Sequence, residues 1–475
     1  MIDRRLLLAC LLGLAALAGC SSAAAPTDDA GRDGGSAEER DAGDDGGATL
    51  GDAGERVDAA MPMDAGSPVD AGPPMDGGVP MEVVPVPGEV TIVQLSLPAL
   101  GLVPQTGEAA ILVGPDGTMV LLDVGNDRHP DTVRAAIETL NTTWIVPERG
   151  FPRRRGRLEV DWIVLSHFHS DHVGGFAGLF ESDPITLVHG VVHRGYVDLG
   201  AAASEPEFET MCDALATAAL AGHGVSLCHA AQSAGCVIGD LSDARPALDC
   251  NGLFTGDLSD ASDDALGEPS RIELGGGARM TFLGADGFVS DGSSASAITF
   301  GHTDSNEENA RSLVTIVSFG AFRYHWGGDL TGSGDTGEPD VESHVASVAG
   351  AAFYGALGMD VTHAHHHVRA TSSNATFVDL CAPRDGHDRN VVGGINAGYI
   401  RSPYSEVLAR WADDTRLGTG HVWVTATAPL GASHPALIDA GGGVTVQTFG
   451  AGAGYFVQAD GTVHEVERFD SVRGL

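Results

Sequence analysis

The sequence predicts a four-layer αββα sandwich spanning residues 89–475, and three observations support it. Two β-rich stretches, Val90 to Leu165 and Arg271 to Trp326, each run on into segments of helical spacing. Each half therefore offers a sheet with one face for helices and one for the other sheet. The third observation is a mostly apolar strand, Val160 to Leu165, that ends in a dense polar segment.

The elements follow in order. Val90 to Leu95 alternates as a strand, and Ala109 to Gly114 and Met119 to Gly125 form a hairpin about the Pro115-Asp116-Gly117 turn. Asp131 to Leu140 has helical spacing, and Val160 to Leu165 is the next strand. An insertion at about 195–268 follows, read as an elaboration of the domain. Strand pairs resume at Arg271 to Leu274, Arg279 to Leu283, Ser312 to Ser318 and Ala321 to Trp326. Helical patterns cover Val341 to Leu357 and Ser405 to Asp414, and late strands lie at His421 to Thr425 and Gly443 to Thr448.

The sequence ahead of this domain reads differently. Arg4 and Arg5 precede an apolar run, Leu6 to Ala18, too short to span a bilayer comfortably, which is the pattern of a signal peptide over residues 1–19. The small residues before Cys20 match a bacterial lipobox, so cleavage and lipidation at Cys20 are expected. Multiple acyl chains hold a protein firmly to a membrane. The expected location is thus the cell envelope, on the periplasmic or surface side, with the outer membrane compatible. Residues 20–88 are rich in Asp, Ala, Gly and Pro with recurring Asp-Ala-Gly, and they lack the apolar bulk to offset chain entropy. They are read as a disordered tether.

Formal net charge is −39, and all 26 basic residues are Arg. Stable nucleic-acid binding by counterion release needs clustered positive charge, so this composition argues against it. The one basic cluster, Arg153 to Arg157, reads as a solvated loop. A small-molecule or nucleotide-like substrate fits better. Nothing in the sequence points to an oligomeric state. Of the seven cysteines, Cys212, Cys228, Cys236 and Cys250 lie close together and suggest two disulfides stapling the insertion, with three pairings open. Zinc binding by these four is the rival, and Cys381 is left odd.

Chemistry concentrates at Ser166-His167-Phe168-His169-Ser170-Asp171-His172, directly after the apolar strand. Four ligand-type residues within six positions, at a strand end, point to a metal centre. His167 and His169 converge on one cation, and Asp171 and His172 face a second. Imidazole with carboxylate suits two divalent ions, zinc foremost, with manganese or iron as alternatives.

This segment resembles the signature of the metallo-β-lactamase superfamily. The remainder is similar to the hydrolase domain of ComEC-type DNA-uptake competence proteins. The likeness runs through Gly107 to Gly125, Asn309 to Val314, Gly327 to Leu330, Asp360 to Ser373 and Asn396 to Pro403. The resemblance implies that Asp329 bridges the two metals and that His366 is the last metal ligand. His367 is then a substrate contact or proton donor. It also implies hydrolysis, with Asp171 orienting a metal-activated water. Arg369, read from its own charge and position and not from the resemblance, is a candidate anion contact.

The chain departs from the pattern where a further histidine is common. His302, Asp304, Asn306 and Glu308 are the candidates for the first metal's third ligand. The branch's Gly-Ser after the paired histidines is replaced by Val368-Arg369, and its lysine by His363. The expected function is a metal-dependent hydrolase of a phosphodiester or related ester. The alternatives are a hydrolase of a small lactone, ester or β-lactam, and a metal-binding lipoprotein without turnover.

Overall fold

The computed structural model describes residues 83–97, 107–194, 205–220, 226–229, 271–292, 295–298, 306–332, 338–394, 405–425, 434–440, 443–459 and 462–467. All lie in the compact unit Met75–Leu475. The signal sequence, Cys20, most of the tether, His302, Asp304, the Asn306 side chain and the Asn396 to Pro403 motif fall outside the description. Among the described residues no helix is long and apolar enough to cross a membrane.

The first half forms β1 (Thr91–Gln94), β2 (Ala110–Val113), β3 (Met119–Leu122), α1 (Pro130–Thr139), β4 (Glu159–Leu165), α2 (Ser170–Val173), α3 (Phe176–Leu179), β5 (Thr186–His193), α4 (Glu205–Leu220) and β6 (Ser226–His229). The second half begins with β7 (Arg271–Glu273), β8 (Arg279–Ala285), β9 (Phe288–Ser290), β10 (Ala295–Ala297), α5 (Asn306–Ala310), β11 (Val314–Phe319) and β12 (Phe322–Trp326). It continues through α6 (Val341–Val348), β13 (Val361–His363), α7 (Ala375–Cys381), β14 (Asn390–Gly393), α8 (Ser405–Trp411), α9 (Asp414–Leu417), β15 (Val422–Val424) and β16 (Leu437–Asp439). The chain then returns to the first sheet as β17 (Val444–Phe449), β18 (Gly454–Ala459) and β19 (Thr462–Glu467).

Two sheets result. The first runs β19-β18-β17-β1-β2-β3-β4-β5-β6 and the second β10-β9-β8-β11-β12-β13-β14-β15-β16, with β7 on β8. In each, an antiparallel part built of hairpins joins a parallel part whose crossovers supply the helices, as at β3–β4 and β12–β13.

Strand alternation explains the layering. In β2, Ala110 and Leu112 face the other sheet, joining Phe282, Val317 and Tyr324 in the inter-sheet core. Their neighbours Ile111 and Val113 face outward under α1, α3 and α4, against Val133, Leu179 and Met211. The second sheet's outer face is covered by Val341, Phe377 and Trp411 of α6, α7 and α8. Three apolar interfaces separate four layers, α, β, β and α.

Part of the expected insertion is integral to this plan. α4 buries Phe208 and Leu215 against the first sheet, and β6 extends that sheet beside β5. Cys212 is buried on α4, whereas the Cys228 side chain, Cys236 and Cys250 lie outside the described residues, as does any pairing among them. Cys381 is free and buried. The helical pattern expected from Val341 to Leu357 divides: α6 stops at Val348 and a wide turn, Gly350–Tyr354, follows. That turn brings the Tyr354 hydroxyl within 2.9 Å of His325 Nδ1. The pattern from Ser405 likewise splits, because Asp413 leaves the helix to cap α9 by accepting from Thr415 N–H.

Candidate functional site

Three chain segments meet where β3, β4 and β12 end. Asp123 follows β3, Ser166 to His172 follow β4, and Asp329 follows β12. Asp123 accepts hydrogen bonds from Ser166 N–H at 2.7 Å and Ser166 Oγ at 2.6 Å, which holds the start of the histidine segment. The same carboxylate takes His172 Nδ1 at 2.8 Å. That bond turns His172 Nε2 to Asp329 Oδ1, 3.2 Å away.

Asp329 reaches this position through Gly328, whose φ is +51° and whose missing side chain matters. A Cβ there would meet the Ser166 Cβ at 2.4 Å, so only glycine lets the two sheet ends approach so closely. Around Asp329 Oδ2 stand three imidazoles: His167 Nε2 at 3.9 Å, His366 Nε2 at 3.8 Å and His367 Nε2 at 3.6 Å. His169 Nδ1 lies 3.1 Å from His167 Nε2, and Asp171 Oδ2 lies 3.3 Å from His367 Nε2. The segment from β4 and the segment after β13 thus come together about one carboxylate.

The two adjacent histidines part company. His366, His367 and Val368 carry φ of +50°, +53° and +60°, three successive left-handed residues without a glycine. Each costs roughly 1–2 kcal/mol in that region, so the surroundings must impose the turn. Glu342 does much of this: buried beneath the turn, it accepts from His365 Nδ1, Ser373 N–H and Asn374 N–H, each at 2.7 Å. Ser372 Oγ donates to the His365 carbonyl at 2.8 Å. As a result His367 faces Asp171, with its Nδ1 donating to the Gly394 carbonyl at 3.0 Å. His366 turns aside: its Nδ1 meets the Thr371 hydroxyl, and its Nε2 lies 3.2 Å from both Asn309 Nδ2 and Arg369 Nη1.

Among the described residues, two sets could hold a cation, each offering ligand atoms within 4.8 Å of one another. One is Glu108, His172, Asp329 and His367, and the other is His167, His169 and Asp329. The chemistry of the donors fits a divalent metal. His172 Nε2, Asp329 Oδ1 and Glu108 Oε2 are buried and make no hydrogen bond of ordinary geometry. Buried polar atoms left so are rare unless a ligand satisfies them.

The charges agree. Burial alone would depress His367, but Asp329, Asp171 and Glu108 outweigh it and hold the imidazole up at about 9. Burial likewise opposes the charge on His172, and Asp329 with Asp123 overcomes it. The pocket's carboxylates therefore stabilise positive charge between them. His366 is the reverse case: burial, reinforced by Arg369, prevails over Asp329 and keeps it neutral, down to about 3.

Among the candidates for a further first-metal ligand, Glu308 is described and is engaged elsewhere. Its Oε1 accepts from Phe168 N–H and Arg194 Nε, both at 2.8 Å, and its Oε2 accepts from Arg194 Nη2 at 2.6 Å. Reasoning from sequence passed over Glu108. A signal was present: a charged residue stands two positions ahead of β2, a strand in which every position is buried.

Residues 104–208 match the family model of the metallo-beta-lactamase superfamily. No curated protein matches the sequence. Among solved structures, the metallo-beta-lactamase fold protein YhfI from Bacillus subtilis is similar at 10% identity and a TM-score of 0.32, covering 70% of this chain and 96% of its own. The metallo beta lactamase from Hirschia baltica is similar at 13% identity and a TM-score of 0.24, with 57% and 85% covered. For the long form RNase Z from yeast the values are 9%, 0.30, 64% and 37%, so the chain spans little over a third of that protein. The family match encloses Glu108, Asp123 and the whole segment from His167 to His172, and it supports the metallo-beta-lactamase superfamily for the part of the chain that carries the histidine cluster.

Proposed function

We propose that this protein is a metal-dependent hydrolase that cleaves a phosphodiester or related ester of a small or nucleotide-like substrate. The observation that carries the reading is the convergence of four imidazoles on the single buried carboxylate of Asp329. His167, His169 and Asp329 would hold one divalent ion, and His172, Asp329 and His367 a second, with zinc favoured by the imidazole-rich donor set. When bound, such a pair lowers the pKa of water to about 7 and neutralises charge on attacking and leaving oxygens.

The protein's own groups supply the rest. Asp171, part exposed beside His367, would orient an attacking water. Arg369 Nη1 lies 3.2 Å from His366 Nε2 and would present a cation to an anionic substrate. His366 stays neutral there, so it accepts hydrogen bonds and adds no charge of its own. A net charge of −39 repels long polyanions, which favours a small phosphodiester over a nucleic acid. The likeness to ComEC-type hydrolase domains, the lipid anchor at Cys20 with its envelope location, and the disulfides of the 212–250 region belong to the same proposal.

The test is metal analysis together with turnover on bis-aryl phosphate, short single-stranded DNA, a lactone, an aryl ester and a chromogenic β-lactam. About two equivalents of metal and preferential hydrolysis of the phosphodiester are expected. Activity confined to the lactone or lactam would replace the substrate class. Less than one equivalent of metal with no turnover would sink the enzymatic reading.

A further inference from the structure

Glu108 enters the cluster from an unexpected direction. It precedes β2, and its backbone is fastened at both polar atoms: its N–H donates to the Asp171 carbonyl and its carbonyl accepts from Gly125 N–H, both at 2.9 Å. Gly107 makes this contact possible, since a Cβ there would meet the Asp171 carbonyl oxygen at 2.5 Å. The carboxylate is thereby seated beside the residues that follow β4.

Its two oxygens have different environments. Oε1 accepts from Gln94 Nε2 at 3.0 Å, from Gly394 N–H at 3.2 Å and from His363 Nε2. Three donors saturate it. Oε2 accepts none of these and is buried without a hydrogen bond. It lies 3.6 Å from His367 Nδ1, a nitrogen that already donates to the Gly394 carbonyl. A buried carboxylate that spends one oxygen entirely on fixing its orientation leaves the other aimed and available. Glu108 belongs to a set with His172, Asp329 and His367 in which one ligand atom of each lies within 4.8 Å of the others, and Oε2 is the oxygen of Glu108 that no hydrogen bond occupies.

We propose that Glu108 is a direct ligand of the second cation through Oε2, completing a Glu108, His172, Asp329, His367 donor set. Asp171, whose side chain is 22% exposed, then stands at the mouth of the site facing water and substrate. This assignment rests on the metal-dependent reading above. Two imidazoles and two carboxylates make a four-coordinate site for a borderline cation. The geometry also accounts for His363, which holds Oε1 and so decides which oxygen points inward.

Cobalt(II) titration of the metal-free full chain tests it, read by bound-metal stoichiometry and by the visible ligand-field spectrum. The wild-type protein should take up two equivalents. In Glu108→Gln the amide oxygen can keep the Oε1 contacts while the inward group becomes an uncharged amide. The first equivalent should persist, while the second weakens by more than about 100-fold, beyond the 10- to 100-fold typical of residues that merely orient a ligand. Its ligand-field bands should change as well. Glu108→Asp keeps the charge but withdraws it by one methylene, and it should show the same selective loss. Near-ultraviolet circular dichroism and retention of the first equivalent establish that the variants are folded. If Glu108→Gln or Glu108→Asp binds the second cobalt with an unchanged ligand-field spectrum, Glu108 is not a ligand and the inference is overturned. If the wild-type protein binds no cobalt, it is the metal-dependent reading itself that fails.

Discussion

His172 donates from Nδ1 to the Asp123 carboxylate at 2.8 Å, a contact between the residue that ends one buried strand and the helical turn that follows another. Because Nδ1 is committed there, Nε2 is the nitrogen left to face Asp329. Removing the charge at Asp123 should loosen that orientation. Asp123→Asn is expected to weaken metal binding 10- to 100-fold by chelator competition. Since Asp123 also holds Ser166 in the buried interior, a stability loss of about 1–3 kcal/mol should accompany it. An unchanged metal affinity would show that His172 is oriented by other means.

Glu308 and Arg194 make a pH prediction. Burial alone would raise the Glu308 carboxyl, yet Arg194 and its hydrogen bonds lower it from 4.5 to about 2. Because the folded pKa is depressed, the contribution to stability is complete above pH ~4.5 and disappears as pH falls toward ~2; it amounts to ~3 kcal/mol. Glu308→Gln should therefore be markedly less stable than wild type to urea at pH 7, and the gap should narrow at pH 3. Asp286 beside the same arginine is shifted upward by burial, so the difference between the two proteins is the quantity to follow. A gap that is constant with pH would refute the assignment.

Gly107 should tolerate no side chain. In Gly107→Ala the new Cβ would press on the Asp171 carbonyl oxygen, the Gly125 Cα at 2.7 Å and the Asn126 nitrogen at 2.8 Å, all of them backbone. A destabilisation of about 1–3 kcal/mol in thermal unfolding is expected. Metal uptake should fall as well, because Glu108 moves with its neighbour. A variant as stable as wild type would mean that β2 can shift freely against the residues after β4.

The lipid anchor is tested at Cys20. Expressed in a bacterial host, Cys20→Ser should abolish labelling by a fatty-acid analogue and move the protein from the detergent phase to the aqueous phase, since the acyl chains would supply roughly 0.8 kcal/mol of membrane affinity per buried methylene. The metal content of the soluble variant should equal that of wild type. Detergent partitioning that survives the substitution would rule out the anchor.

How much of this was legible in the sequence depends on how local each feature is. The layered architecture could be read from the unbroken apolar runs of β2 and β3, which mark strands covered on both faces, and from helical spacing in α1, because such patterns are written within a few residues. The metal-type cluster from His167 to His172 is equally local, and its density alone marks it. The limits of α6 were less legible, because the wide turn that follows it is tied to the rest of the fold by a contact distant in sequence, from Tyr354 to His325 of β12.

The sequence by itself determined the two-sheet layering, the histidine cluster at the end of β4 and the acidic character that disfavours polyanions. Only the tertiary structure decided the partners. His366 and His367 are adjacent and chemically identical along the chain, and a left-handed turn pinned by Glu342 sends one toward Asp171 and the other toward Asn309. Glu108 lies 63 positions before Asp171 in the sequence, yet its backbone hydrogen-bonds there and its carboxylate lies among the imidazoles. Long-range pairing of this kind is set by the packing of whole strands, so no pattern within a segment encodes it.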